Sequence, residues 1–262
     1  YNDSDGLEQI FEDFPEKIAV VVLEPTMFEE PKNDFLQKVR KIVDQNNSML
    51  VLDEIVTGFR FDIGGAQKFF NIKGDITCFG KGMSNGLPLS AVTGPTEFMR
   101  VFDDLWVSST NNSDALSIAG SKAVITEMIE KKTIEHCWDI GKKMFYGWNK
   151  IAEENGINAK MTGYPIRMDL KCYDDRGIES ISMKSLILQE MVKRGIFMSI
   201  LGASYISYSH SMQDIENTLK VFDDTCKFIS KNVIDNNYEK LLEGHTPKTI
   251  WTMKMQPTKK RT

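Results

Sequence analysis

No stretch of this chain approaches the roughly 20 consecutive apolar residues that cross a bilayer, and no basic-then-apolar leader opens it. A basic surplus is missing as well. Lys and Arg number 32 against 37 Asp and Glu, a net charge of -5. The electrostatic footprint of a nucleic-acid binder is therefore absent, and neither nucleic acid nor membrane is expected as a partner. Cysteine is scarce and scattered: Cys78, Cys137, Cys172 and Cys226 form no CxxC pair. That spacing argues against a zinc site and a disulfide framework, and toward reduced thiols in a cytoplasmic protein. His136, His210 and His245 are equally dispersed, so no metal is expected. No internal repeat is evident. An initiator Met is lacking too: the chain opens Tyr1-Asn2-Asp3 and soon enters a strand, which suggests processing or a piece of a longer polypeptide.

Periodic apolar pattern is what the sequence does contain. The run "EKIAVVVLEP" (16–25) reads as a strand buried on both faces, ended by Pro25. Next, Phe35, Leu36, Val39, Ile42 and Val43 recur at helical spacing. "SMLVLDE" (48–54) is a second buried strand, so the three segments predict a βαβ unit with parallel pairing. Two shorter strands, "ITCFG" (76–80) and "LSAVTG" (89–94), follow, then a helix over 113–132. Beyond it come a helix near 135–154, a half-exposed strand at 165–173, and a helix over about 180–194 stopped by Gly195. Short strands "IFMSI" and "YISYSH" and a last helix from 212, with Ser211 and Asp214 as a capping box, complete the pattern. The organisation expected is α/β: an open parallel sheet over 1–120, a smaller α+β domain over 121–245, and a solvated tail at 246–262.

One position stands out. Lys81 follows a strand that should be buried, where an ammonium is costly to desolvate. Ligand crevices in open α/β sheets lie at the carboxyl ends of strands, and Asp53 ends the preceding strand. A partly buried ion pair that sets register, or a cofactor site, explains both charges. A P-loop does not: Gly80-Lys81 is followed by Gly82, and position 75 is Asp rather than Gly. The nucleotide fingerprint GxGxxG is missing. Pyridoxal phosphate does need such a set, a lysine for a Schiff base and an acid beside its pyridine nitrogen. Ile55, two residues after Asp53, shares its face and would press on the ring.

The segments "VVLEP", "LVLDEIVTGFRFDIGGAQKFF" and "DITCFGKGMSNGLPLSAVTG" resemble class III aminotransferases, including glutamate-1-semialdehyde aminomutase-like members, over residues 1 to about 232. The resemblance implies the C-terminal portion of a fold type I enzyme: part of its large parallel-sheet domain, then a smaller α+β domain. It gives Lys81 the Schiff base and the proton shuttle, Asp53 the pyridinium nitrogen and Ile55 the ring face. Thr110, within "SSTNNSDALSIAG", would reach the cofactor phosphate of a neighbouring subunit, and so implies a homodimer; from sequence alone it is equally a helix cap. Arg60 and Gln67 would line the site or hold its loop, Glu24 takes no step, and His210 is a terminus group. Where the aminomutase has a glycine-rich turn and Met-Pro after its lysine, this chain has Ser84-Asn85-Gly86-Leu87-Pro88. A transaminase acting on an amino donor and a keto or aldehyde acceptor is therefore favoured over the intramolecular mutase or a truncated, non-catalytic relative. The part of the family that carries a phosphate cup and a stacking aromatic would precede Tyr1.

Overall fold

Asp3 opens the first element, accepting the backbone N–H of Gly6 at 2.8 Å and capping helix α1 (Ser4–Asp13). This helix, which the sequence reading did not anticipate, precedes the first expected strand; Leu7 and Phe11, four apart, give it a core-facing stripe. The computed structural model describes residues 1–108, 110–200 and 202–247. It divides into two units, the first made of 1–145, 162–168 and 205–215 and the second of 146–161, 169–204 and the chain from Glu216.

In the first unit, β1 (Val20–Leu23), α2 (Phe35–Gln45) and β2 (Met49–Glu54) form the expected βαβ unit, in parallel register from Val20↔Met49 to Leu23↔Leu52. Phe35, Leu36, Val39 and Val43 of α2 pack on Leu50, Leu52 and Ile72. After the short helix α3 (Gly65–Phe69), β3 (Ile76–Phe79) adds parallel to β2. Asp75 joins the two: its Oδ2 accepts the Leu50 N–H at 2.7 Å and pairs with Arg40 at 2.8 Å.

Two expectations change here. β1 is not buried on both faces: it lies at the sheet edge, and Val22 is 67% exposed because α2 covers one face only. The sheet is also mixed. β4 (Ala91–Thr93) pairs antiparallel with β3, giving the order β1-β2-β3-β4. Between β3 and β4, residues 80–90 form one 3-10 turn and no helix to carry the crossover that a parallel partner requires. The short α4 (Thr96–Met99) follows, then α5 (Ala115–Glu130) and α6 (Thr133–Glu154).

In the second unit, Trp148 is fully buried, stacks on Phe222 with centroids 3.4 Å apart and donates to the Ala159 carbonyl at 3.2 Å. β5 (Ala159–Tyr164) and β6 (Arg167–Cys172) precede helix α7 (Ile181–Lys193) in sequence and belong to a three-stranded sheet, order β5-β6-β7, with β7 (Ser204–Tyr205). β6 was expected to be half-exposed, yet only Lys171 is. Its charges are buried because they are paired: Asp169 with Lys171 at 3.2 Å and Lys184 at 3.7 Å. Gly195, at φ +87°, ends α7 as expected, but 196–200 forms no strand, and "YISYSH" contributes only Tyr205 to one. Helix α8 (Met212–Asn232) opens on the expected capping box, in which Ser211 N–H donates to Asp214 at 2.7 Å and Asp214 N–H to Ser211 at 3.2 Å. Most of the tail lies outside the described residues. Among the described residues, no helix is long and apolar enough to cross a membrane.

Candidate active site

Parallel pairing of β2 with β3 brings two strand tips to the same end of the sheet. In register, Asp53 lies across from Cys78 and Glu54 across from Phe79. Burial along β2 alternates. Leu50, Leu52 and Glu54 point into the core, while Met49, Val51 and Asp53 occupy the more open face. Asp53 Oδ1 accepts the Ile55 N–H at 3.0 Å, which folds the carboxylate over its own strand end. Burial, with the Asp53 charge adding to it, pushes the Cys78 thiol up, as expected for a cross-strand neighbour. A Cβ built on Gly80 would lie 3.5 Å from Ile55 Cγ2, so Ile55 borders the backbone directly before Lys81. Asp53, Ile55 and the base of Lys81 thus converge on adjacent strand tips.

Lys81 itself adopts a left-handed backbone, φ +43°, and opens a single 3-10 turn to Met83. Around it the turn is tied down. Met83 N–H donates to Gly80 O and Asn85 N–H to Lys81 O, both at 3.0 Å, while Ser121 of α5 donates to Met83 O at 2.9 Å. The side chain is exposed, which corrects the expectation of a buried ammonium. β3 ends at Phe79, so Lys81 sits past the strand rather than inside it, and its backbone is held while its amine meets solvent.

The "DEIVTGFRFDIGGAQ" signature is legible in physical terms. Glu54 has no exposed surface, and its carboxylate accepts Thr57 Oγ1, Ala66 N–H at 2.9 Å and Gln67 N–H at 2.7 Å. It therefore clamps the loop after β2 to the start of α3. Burial pushes its pKa up despite those three donors. Gly58 is required because a Cβ there would come within 2.6 Å of Glu54 O and 2.7 Å of the Phe79 ring. Sequence reasoning placed Glu54 at a strand end but missed this clamp; the signal was an acid three residues before Thr57 and eleven before Gly65.

Thr110 is exposed and makes no side-chain hydrogen bond among the described residues. The cap of α5 is Asp114, which accepts Ser117 N–H at 2.8 Å, so the capping alternative for Thr110 is removed. Gln67 reaches Thr77 Oγ1 of β3 at 3.4 Å, and Arg60 holds the Val56 carbonyl within its own loop at 3.2 Å. Glu24 pairs with Arg167 at 3.4 Å. His210 accepts Ser207 N–H at 3.0 Å, a local turn bond. Among the described residues no group of three or more His, Cys, Asp or Glu is placed to hold a metal ion.

This fold is that of solved pyridoxal-phosphate transaminases. The FumI protein of Sphingopyxis sp. MTA144, solved in its PLP internal aldimine form, aligns at TM-score 0.81 and 23% identity over 88% of this chain and 57% of its own. An omega-transaminase from Sphaerobacter thermophilus aligns at TM-score 0.78 and 22% identity, over 87% of this chain and 56% of its own. A model of the class III aminotransferase family matches residues 3–218, and the chain belongs to that family. It is 29% identical to glutamate-1-semialdehyde 2,1-aminomutase of Alkaliphilus oremlandii, covering 88% of this chain and 57% of the relative. It is also 29% identical to 3-aminobutyryl-CoA aminotransferase of Cloacimonas acidaminovorans, covering 88% and 58%. The chain thus spans under three-fifths of the curated relatives it matches.

Proposed function

We propose that this chain carries the lysine-bearing part of a pyridoxal-phosphate aminotransferase, which moves an amino group between an amino donor and a keto or aldehyde acceptor. The observation that supports this most is the β2–β3 register, which sets Asp53 and the Lys81 turn at neighbouring tips on one end of the sheet. A carboxylate with one oxygen engaged, an apolar side chain beside it and a free primary amine suit a pyridine nitrogen, a ring face and an aldehyde. When bound, the cofactor supplies an electron sink for negative charge on the substrate α-carbon. Asp53 would hold the pyridine nitrogen in its protonated form, Ile55 would pack on the ring and the Lys81 amine would hold the cofactor at its aldehyde carbon. The same amine, when free, would move a proton at the substrate α-carbon.

Thr110 takes the phosphate of a neighbouring subunit in a homodimer. Supporting this, Trp106 is 95% exposed, and Leu105, Val107, Leu116 and Ile118 are exposed around the same turn, a patch suited to an interface. Four unpaired cysteines fit a reducing cytoplasm. Incubation with pyridoxal phosphate and then borohydride should fix the cofactor on Lys81, with a yellow protein before reduction. A colourless protein, or labelling that persists in Lys81→Ala, overturns the proposal. Dependence of turnover on a second keto or aldehyde compound distinguishes the transaminase from the intramolecular mutase.

A further inference from the structure

Two arginines of the first unit have acidic partners: Arg40 meets Asp44 and Asp75, and Arg167 meets Glu24. Arg60 does not. Its Nε–H donates to Val56 O at 3.2 Å, and its guanidinium lies 4.3 Å from the centre of the Tyr205 ring. Among the described residues no carboxylate pairs with it, and its terminal nitrogens have no hydrogen-bond acceptor. Arg60 lines a cavity of about 340 Å³. Val124, Met128, Ile134, Ile166 and Ile206 give that cavity an apolar wall, and Ser207 and Ser209 supply hydroxyls. One acid, Glu127, also lines it, but its carboxylate is engaged by Lys131 at 2.6 Å.

We propose that this cavity binds a short aliphatic carboxylate, with its charged head on the Arg60 guanidinium and its chain along the apolar wall. A guanidinium offers paired N–H groups whose geometry matches a carboxylate. Burial pulls Arg60 below its ordinary value, and an anion at the head would offset that desolvation. Gly82 and Asn85 of the Lys81 turn also line the cavity, so a bound acid touches the segment that carries the lysine. The inference stands apart from the cofactor reading, because none of these groups need hold the cofactor.

Butyrate serves as probe and butyramide as its uncharged isostere. Cys137 lines the cavity, so its alkylation by iodoacetamide, followed by peptide mass spectrometry at constant ionic strength, reports occupancy. Butyrate is expected to protect Cys137 saturably, and butyramide to do so at least about tenfold more weakly. Arg60→Gln should lose protection by a similar factor. Val124→Trp, which fills the wall and keeps the guanidinium, should lose it too, with folding of both variants checked by circular dichroism. Equal protection by both probes, protection by neither, or butyrate protection retained in Arg60→Gln overturns the inference. With pyridoxal phosphate supplied, competition between butyrate and a substrate acid assigns the head to a substrate carboxylate; protection without competition assigns an effector. Both of those outcomes support carboxylate binding. A colourless protein that still shows butyrate protection sinks the aminotransferase reading and leaves this one intact.

Discussion

The carboxylate of Glu54 fills the space where a side chain at Gly65 would begin: a Cβ there would lie 2.5 Å from Glu54 Oε1. Gly65 also sits at φ +82°, in the left-handed region. Gly65→Ala therefore adds backbone strain to a collision with a fully buried acid. A loss of about 2 kcal/mol or more is expected, read as a lower midpoint in urea unfolding. A neutral effect would show that the clamp is loose.

Glu54 titrates in a direction set by burial. Its folded pKa is raised, so the folded state holds the proton more tightly than the unfolded chain. Its contribution is complete below the ordinary carboxylate range and is lost as pH rises through the raised value. Glu54→Gln removes that slope but places an amide against N–H donors from Ala66 and Gln67, costing about 1–3 kcal/mol. The stability gap between wild type and variant should therefore be widest at low pH and narrow as pH rises. A gap that widens with pH contradicts the buried acid.

Lys81 carries its exposed amine on a strained left-handed backbone. Lys81→Gly should therefore be more stable than Lys81→Ala by about 1 kcal/mol, while both lose borohydride fixation. Thermal melting separates the two variants. Equal stability would place Lys81 in an ordinary backbone region.

Cys78 reports on Asp53 directly. The carboxylate adds to burial in keeping this thiol protonated, so Asp53→Asn should shift the pH midpoint of Cys78 alkylation downward. The two buried cysteines, Cys172 and Cys226, serve as internal references whose rates should not change. An unchanged Cys78 profile would break the register on which the candidate site rests.

Much of the frame was legible because apolar period reports it locally. The α2 stripe and the βαβ order followed from spacing, and Ser211 with Asp214 announced the start of α8. Failures cluster where non-local contacts decide. β6 buries Asp169 because Lys171 and Lys184 compensate it, where the alternating pattern of 165–173 read as a half-exposed strand. The β4 direction followed from the lack of a crossover helix between residues 80 and 90, and β1 lost a buried face because only α2 covers it. Helix α1 was missed although Asp3 and the Leu7–Phe11 spacing carried its signal.

By itself, the order of residues determined that Asp53 ends one strand, that Lys81 follows the next, and that a glycine-bearing loop lies between them. Those are local facts, because strand period and turn chemistry act over a few residues. Only tertiary structure decided that the lysine amine stands in solvent and that Arg60 faces a cavity without an acidic partner. Each depends on groups brought together from distant parts of the chain, and burial is a property of that assembly rather than of any segment within it.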